Sequence, residues 1–234
     1  TLLASSAASD VYKRQKEPLG NAGALYQIKD KLTEDFLLLN ADAIFDVDFN
    51  RFVDYHKQKG GLVTLFTHPN SHPYDSGLII ADESGSVLKW LAKEDERPKY
   101  YRNRVNAGLH VISPQVLEKK IDTLKIDLDR QLLKPLAGTG KMFVYDSPEY
   151  VKDMGTPERY RSFCEDYAAG RVQGKNLKNK QKAVFLDRDG VINKYVGFLT
   201  NIDQFELNDG VTEAIKKINS KGYLLSLIHI SEPT

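Results

Sequence analysis

The stretch Phe36-Leu-Leu-Leu-Asn-Ala-Asp-Ala-Ile-Phe-Asp-Val-Asp48 carries the architectural signal of this chain. Its first four residues are uniformly apolar, as a short buried strand requires. Asp42, Asp46 and Asp48 then crowd a turn, and residues 49–59 return to a helical mixture of apolar and polar positions. A second short apolar run, Leu62-Val-Thr-Leu-Phe66, follows at once. Strand, carboxylate-rich turn, helix and strand in succession predict a layered α/β sheet. Asp48, next to the start of the helix, reads as its cap.

The alternation extends outward from this stretch. Residues 22–32 read as a helix, and 76–81 with 87–91 as a hairpin around the turn-forming Asp82-Glu-Ser-Gly85. Residues 105–112 predict a strand and 129–136 a helix. Residues 157–167 predict another helix, with Pro157 at a favoured first-turn position. Between 170 and 182 the composition turns polar and basic without apolar period. No aromatic residues interleave the charges, so a solvated linker is the better reading than a nucleic-acid arm. Residues 183–186 restart a strand and 211–220 a helix that ends at Lys221-Gly222. The expected organisation is therefore a domain over 16–169, a linker over 170–182 and a second domain over 183–225. The ends, 1–15 and 226–234, resemble translated adapter read-through; native frayed termini are the alternative.

Composition narrows the class. Among 234 residues, 33 Lys and Arg oppose 32 Asp and Glu, leaving a net charge of +1. Such a balance offers no electrostatic case for nucleic acid or an anionic membrane surface. Cys164 is the single cysteine, which excludes an internal disulfide framework and a cysteine-rich zinc site. No apolar run approaches the ~20 residues of a membrane span. These features point to a cytoplasmic protein whose function must be read from local motifs.

Three Asp-x-Asp pairs occur: Asp46/Asp48, Asp127/Asp129 and Asp187/Asp189. Asp127 and Asp129 precede a helical run, so capping explains them. Asp187 and Asp189 instead follow four apolar residues and precede Gly190, which places them at the carboxyl end of a strand. Ligands of open α/β sheets bind there, and two converging carboxylates need a cation such as Mg²⁺ or a phosphate-transfer role. Phe185-Leu-Asp-Arg-Asp-Gly-Val-Ile-Asn193 resembles the first motif of the haloacid dehalogenase-like (HAD) phosphatases, nearest to their heptose-bisphosphate and histidinol-phosphate branch. The resemblance runs on through Tyr223. It implies Asp187 as nucleophile, Asp189 as proton donor and later base, Mg²⁺ on Asp187 and the Asp189 carbonyl, and Asn193 touching substrate. The family's phosphate loop, Lys and second acidic pair have no counterpart here.

A second resemblance covers residues 17–169. Taken singly, Asp42 and Asp153 read as turn or cap acids. With their neighbours they resemble the metal aspartates of the sugar-phosphate nucleotidyltransferases, whose fold is a Rossmann-like sheet. Pro18-Leu-Gly-Asn-Ala-Gly-Ala24 looks like that family's base-recognising loop, and Val105-Asn-Ala-Gly-Leu109 like its sugar-contacting strand. The resemblance implies Mg²⁺ on Asp42 and Asp153, the base near Gly20, Asn21 and Gly23, and sugar hydroxyls at Asn106 and Gly108. Lys93 reads either as a point charge for the sugar phosphate or as a solvated surface lysine. The family's Gly-rich triphosphate loop, with its Arg and Lys, has no counterpart here.

The expected fold is thus a partial Rossmann-like nucleotidyltransferase sheet followed by the first βα portion of a HAD domain. The expected function is part of a bifunctional enzyme of nucleotide-activated heptose synthesis. It would use sugar phosphate and nucleoside triphosphate with Mg²⁺, and no nucleic acid or membrane. The alternatives are a mannose or glucose 1-phosphate nucleotidyltransferase with a phosphatase of other specificity, and a non-catalytic sugar-nucleotide module. With both motif sets incomplete, little turnover is expected at either site. His68 and His72 flank Pro69, with Pro73 beyond, so a loop is expected there rather than a metal pair. Cys164 and Trp90 are expected to serve packing.

Overall fold

The computed structural model describes residues 19–70, 76–123, 125–180 and 182–228. The chain divides into two units: residues 1–43 with 49–148, and residues 44–48 with 149–234. The expected end at 1–15, residues 229–234 of the expected end at 226–234, and His72 lie outside the described residues.

In the first unit, helix α1 (Gly20–Ile28) leads through a 3₁₀ turn to strand β1 (Phe36–Leu39). The expected helix over 22–32 thus starts earlier and stops at Ile28, and Lys29–Lys31 tighten into 3₁₀ geometry. Between β1 and the next helix lies β2 (Ala43–Asp46), which from Ile44 on belongs to the second unit. Helix α2 (Phe49–Lys59) and strands β3 (Val63–His68), β4 (Leu78–Ala81), β5 (Val87–Leu91), β6 (Val105–Ile112) and β7 (Met142–Asp146) complete the first unit's main elements. The sheet order is β5-β4-β6-β3-β7, with β1 also paired to β6. Strands β1 and β3 each run antiparallel to β6, and β3 runs parallel to β7. It follows that β1, β3 and β7 point the same way and end on one edge.

Residues 63–67 of β3 are all buried, which the two-residue period explains. Val63 and Leu65 face a core that includes Ala22, Leu25, Ile112, Leu132 and Met142. Phe66 meets Phe52 of α2 edge-on at 5.5 Å, and Thr64 Oγ1 lies 2.7 Å from His56 Nδ1. One face therefore carries α1 and the 128–133 segment, and the other carries α2. Trp90 is buried as expected, and its indole lies so close to Gly77 that a Cβ there would sit 2.7 Å from Nε1.

The helix expected at 129–136 is a π-helical turn, Leu128–Leu133, followed by a 3₁₀ turn, Lys134–Leu136. Pro135 removes an N–H donor, so regular α-helix cannot run through it. Asp127 caps the turn, accepting the Arg130 N–H at 2.8 Å. Asp129 is not a cap: burial, with Asp127 beside it, pushes its carboxyl up to about 6.

In the second unit, β2 pairs with β8 (Tyr150–Asp153). Helix α3 (Pro157–Ala168) is capped by Thr156, and α4 (Arg171–Lys175) follows Gly170, whose φ of +71° turns the chain. The stretch expected as a solvated linker is therefore partly folded. Val172 and Asn176 are buried, and Asn176 Nδ2 donates to Asp46 Oδ1 at 2.5 Å. Glu149 Oε1, also buried, accepts the Asp48 and Leu177 N–H groups at 2.7 and 2.9 Å. One apolar side chain and a few satisfied polar groups suffice to hold a stretch that composition alone marks as solvated. Cys164 is exposed, contrary to its expected packing role, because α3 buries none of its residues and turns Phe163 toward Tyr150 instead.

Strand β9 (Ala183–Asp187) pairs in parallel with β10 (Leu224–Ile228), and α5 (Val211–Ser220) connects them. The strand continues past the expected boundary at 225, with Ile228 opposite Asp187. Phe185 and Leu227 are exposed, as two strands and one helix close little core. Among the described residues no helix is long and apolar enough to cross a membrane.

Candidate active site

The carboxyl edge of β1, β3 and β7 collects Asn40, Asp42, Thr67 and Asp146, together with the start of the opposed strand β6. Here β6 is irregular. Leu65 pairs with His110 but Thr67 with Asn106, so two steps along β3 match four along β6. The extra residues form a bulge at Gly108, whose φ is +74°. Its carbonyl accepts the Asn40 N–H at 2.9 Å, and a Cβ at Gly108 would fall 2.4 Å from Asn40 Nδ2. A glycine is demanded both by the backbone angle and by the close approach. The two quoted motifs around Asn40 and Asn106 thus meet at one point, where the bulge leaves Asn106 half-buried between buried neighbours.

Behind Asn106 stands His110, almost wholly buried, and burial pulls its imidazole down to about 4. The ring is therefore neutral at physiological pH. Its Nε2 lies 3.0 Å from Asn106 Oδ1, which also accepts the Gly108 N–H at 3.3 Å. A few residues away, the buried Arg104 donates from Nη2 to Asp146 Oδ2 at 2.8 Å, while its Nε has no partner among the described residues. Thr67, Arg104, His110 and Asp146 escaped sequence reasoning: His110 sits within the apolar run 105–112, Thr67 and Arg104 lie just outside predicted strands, and Asp146 ends β7, which the sequence reading does not predict.

Asp42 is exposed on the turn after β1, closed by the Ala43 N–H to Asn40 carbonyl contact at 3.4 Å. Lys93 lies in an exposed turn after β5, 4.0 Å from Glu94. The segment expected as a base-recognising loop begins a helix at Gly20 instead. Gly20 has φ +76°, and a Cβ on it would meet the Ile126 carbonyl oxygen at 2.4 Å. Asn21 Oδ1 accepts the Leu128 N–H at 2.8 Å, and Gly23 is buried in α1. These residues seat α1 on the 126–128 segment.

In the second unit, Asp153 is exposed at the end of β8. Its Oδ1 accepts the Gly155 N–H at 2.6 Å and pairs with Arg159 at 3.0 Å. Asp187 ends β9, and its Oδ1 accepts the Arg188 N–H at 2.7 Å. Asp189 is held by both arms of the Arg188 guanidinium, at 2.9 and 2.8 Å. Asn193 is fully buried, donates from Nδ2 to the Lys194 carbonyl, and leaves Oδ1 without a partner among the described residues.

Among the described residues no group of three or more His, Cys, Asp or Glu is gathered as a metal cage. Mg²⁺ is commonly held by one or two carboxylates plus substrate phosphates. Exposed Asp42, and Asp153 with Oδ2 free of the contacts just described, are donors of that kind. Each by itself offers oxygen alone, the donor that suits this ion.

Polar side chains gathered beyond the carboxyl ends of parallel strands are the arrangement by which α/β sheets bind nucleotides and sugar phosphates. The chain belongs to the nucleotidyl transferase family, whose profile matches residues 4–170. A probable mannose-1-phosphate guanylyltransferase 2 of Oryza sativa is 31% identical over 153 residues, covering 63% of this chain and 41% of that protein. The mannose-1-phosphate guanylyltransferase catalytic subunit beta of Drosophila pseudoobscura is 28% identical over 185 residues, covering 78% and 47%. The chain thus spans less than half the length of these curated relatives. Among solved structures, HddC from Yersinia pseudotuberculosis complexed with GMP-PN superposes with a TM-score of 0.56 at 18% identity, covering 71% of this chain and 73% of that one. The shared fold is a mixed α/β one with a mostly antiparallel central sheet.

Proposed function

We propose that the first unit binds a sugar 1-phosphate for nucleotidyl transfer, with mannose 1-phosphate and GTP the substrates to test first. The observation that carries this reading is the β6 bulge. It presents Asn106 at the carboxyl edge of three parallel strands, within the residues that match the family. The choice of sugar and base rests on the named relatives. In the reaction a phosphate oxygen of the sugar 1-phosphate attacks the α-phosphorus of the triphosphate, and the bond to pyrophosphate breaks in line. Asn106 and the bulge at Gly108 hold sugar hydroxyls, and Lys93 meets the sugar phosphate. Gly20, Asn21 and Gly23 support the nucleotide-side segment by seating α1. Asp42, exposed on the turn after β1, would offer carboxylate oxygen to Mg²⁺, which would supply neutralisation of charge developing on the phosphate oxygens; Asp153 would offer the same from the second unit. Calorimetric titration of the chain with mannose 1-phosphate, beside an Asn106→Ala variant, tests the reading. Saturable binding weakened at least ~10-fold by the substitution is expected, the scale of one good hydrogen-bonding group. Equal binding by both proteins would refute it.

The second unit supports a separate activity, hydrolysis of a sugar bisphosphate. Its support is the position of Asp187 at the carboxyl end of a parallel strand pair, two residues before Asp189. A carboxylate oxygen of Asp187 would attack phosphorus, and Asp189 would deliver a proton to the departing alkoxide oxygen. Water activated by Asp189 would then cleave the acyl phosphate. The Arg188 fork occupies both Asp189 oxygens and must release before Asp189 can serve. Mg²⁺ on Asp187 and the Asp189 carbonyl would stabilise charge on the transferring phosphoryl group, and Asn193, fully buried in this conformation, would touch substrate only once its loop opens. Because little turnover is expected of an incomplete motif set, Mg²⁺-dependent binding of heptose 1,7-bisphosphate, weakened in Asp187→Ala, is the test; equal binding by both proteins refutes it. Whether one protein joins both steps for heptose activation is decided by the two assays together.

A further inference from the structure

We infer that His110 is a positioning residue that fixes which end of the Asn106 carboxamide faces ligand. The inference rests on the sugar 1-phosphate reading above for the ligand, but its geometry stands apart from it. A neutral imidazole carries one N–H, and the atom facing Asn106 is Nε2, 3.0 Å from Oδ1. A carboxamide oxygen only accepts, so Nε2 must carry the proton. Nδ1 is then a bare acceptor, consistent with its lack of a partner among the described residues. The Gly108 N–H reaches the same oxygen at 3.3 Å. Two donors, one from a buried ring and one from the bulge backbone, thus hold Oδ1 inward.

The consequence is chemical selectivity. With Oδ1 occupied, the group that Asn106 can offer is Nδ2, two N–H donors with no partner among the described residues. The site therefore addresses a lone-pair oxygen, a sugar hydroxyl acting as acceptor or a phosphate oxygen, and not a donor group. A flipped carboxamide would invert that preference, and the ring protonated at Nε2 opposes the flip together with the Gly108 N–H. His110 lies outside the reacting atoms. It acts through Asn106, and its burial keeps it a one-proton ring over the neutral pH range.

The test combines a spectroscopic and a binding measurement on the whole chain. Long-range ¹H–¹⁵N spectra should show His110 as the Nε2–H tautomer between pH 7.5 and 5.5. An Nδ1–H tautomer would overturn the proposal whatever the ligand. Mannose 1-phosphate is then titrated into the wild type, His110→Phe, His110→Gln, Asn106→Ala and the His110→Phe/Asn106→Ala pair. The Phe variant should bind ~10-fold more weakly, the equivalent of about 1.4 kcal/mol. The Gln variant, whose side-chain amide can donate toward Oδ1, should recover to within ~3-fold. The double variant should bind no worse than Asn106→Ala alone, with GTP affinity and melting temperature tracked in parallel. Multiplicative losses in the double variant, or a Phe variant that loses GTP affinity in step with its melting temperature, would show a merely structural role and refute the proposal. A wild type with the Nε2–H tautomer but no affinity for mannose 1-phosphate would leave the orientation intact and overturn the sugar-phosphate reading.

Discussion

His110 and Asp129 set up opposed pH dependences inside the first unit, and a single substitution separates them. Burial takes the His110 imidazole from 6.5 to about 4. As pH falls below about 6.5 the unfolded chain takes up this proton while the folded chain refuses it until about pH 4. Stability therefore declines across that window, by a total of about 3 kcal/mol at 1.36 kcal/mol per unit. Asp129 has the reverse sign: burial and the adjacent Asp127 raise its carboxyl from 3.8 to about 6. Its folded form binds the proton first, so stability increases from about pH 6 down to about 3.8, again by about 3 kcal/mol. In the wild type the two contributions largely offset each other. Replacing His110 by Phe removes the declining one, so the stability gap between variant and wild type should narrow by about 2–3 kcal/mol between pH 7 and 4.5. Asp129→Asn should gain most over the wild type at pH 7 and lose that advantage toward pH 4.5. Urea unfolding followed by fluorescence isolates the right unit, because Trp90 is the single tryptophan and is buried in the first sheet. Gaps that stay constant with pH to within ~0.5 kcal/mol, a tolerance near the additivity error of such comparisons, would refute the reasoning.

Two further outcomes are expected. Gly20→Ala adds a Cβ 2.4 Å from the Ile126 carbonyl oxygen at a φ of +76°. Neither side can yield, so a loss of about 2 kcal/mol or more by urea melt is expected, above the ~1–2 kcal/mol of the backbone angle alone. Val172→Asp places a charge in the one buried position of α4. Limited proteolysis should then cut within 170–182, a region that resists cleavage in the wild type if the short helix holds it.

The sequence by itself determined the order and type of most elements, because short apolar runs and turn-forming clusters are local signals. It located the strands at 36–39 and 105–112, the hairpin around Asp82-Glu-Ser-Gly85 and the capping role of Asp127. It also placed Asn106 and Gly108 together in one motif. It could not show why they matter, since the bulge arises from the register between β6 and β3, a property of two strands far apart in the chain. Nor could it show that His110 and Arg104 are polar groups turned inward, because a strand period assigns a face without saying what waits there. The motif around Gly20 and Asn21 could not show that they also seat α1, because Ile126 and Leu128 come beside them only in the fold. The 170–182 stretch read as solvated because composition averages over residues, whereas its folded part depends on burying Val172, on Asn176 meeting Asp46 and on Glu149 meeting the Leu177 N–H. Local chemistry is written along the chain; which donor meets which acceptor is decided only when distant segments are brought within a few ångströms.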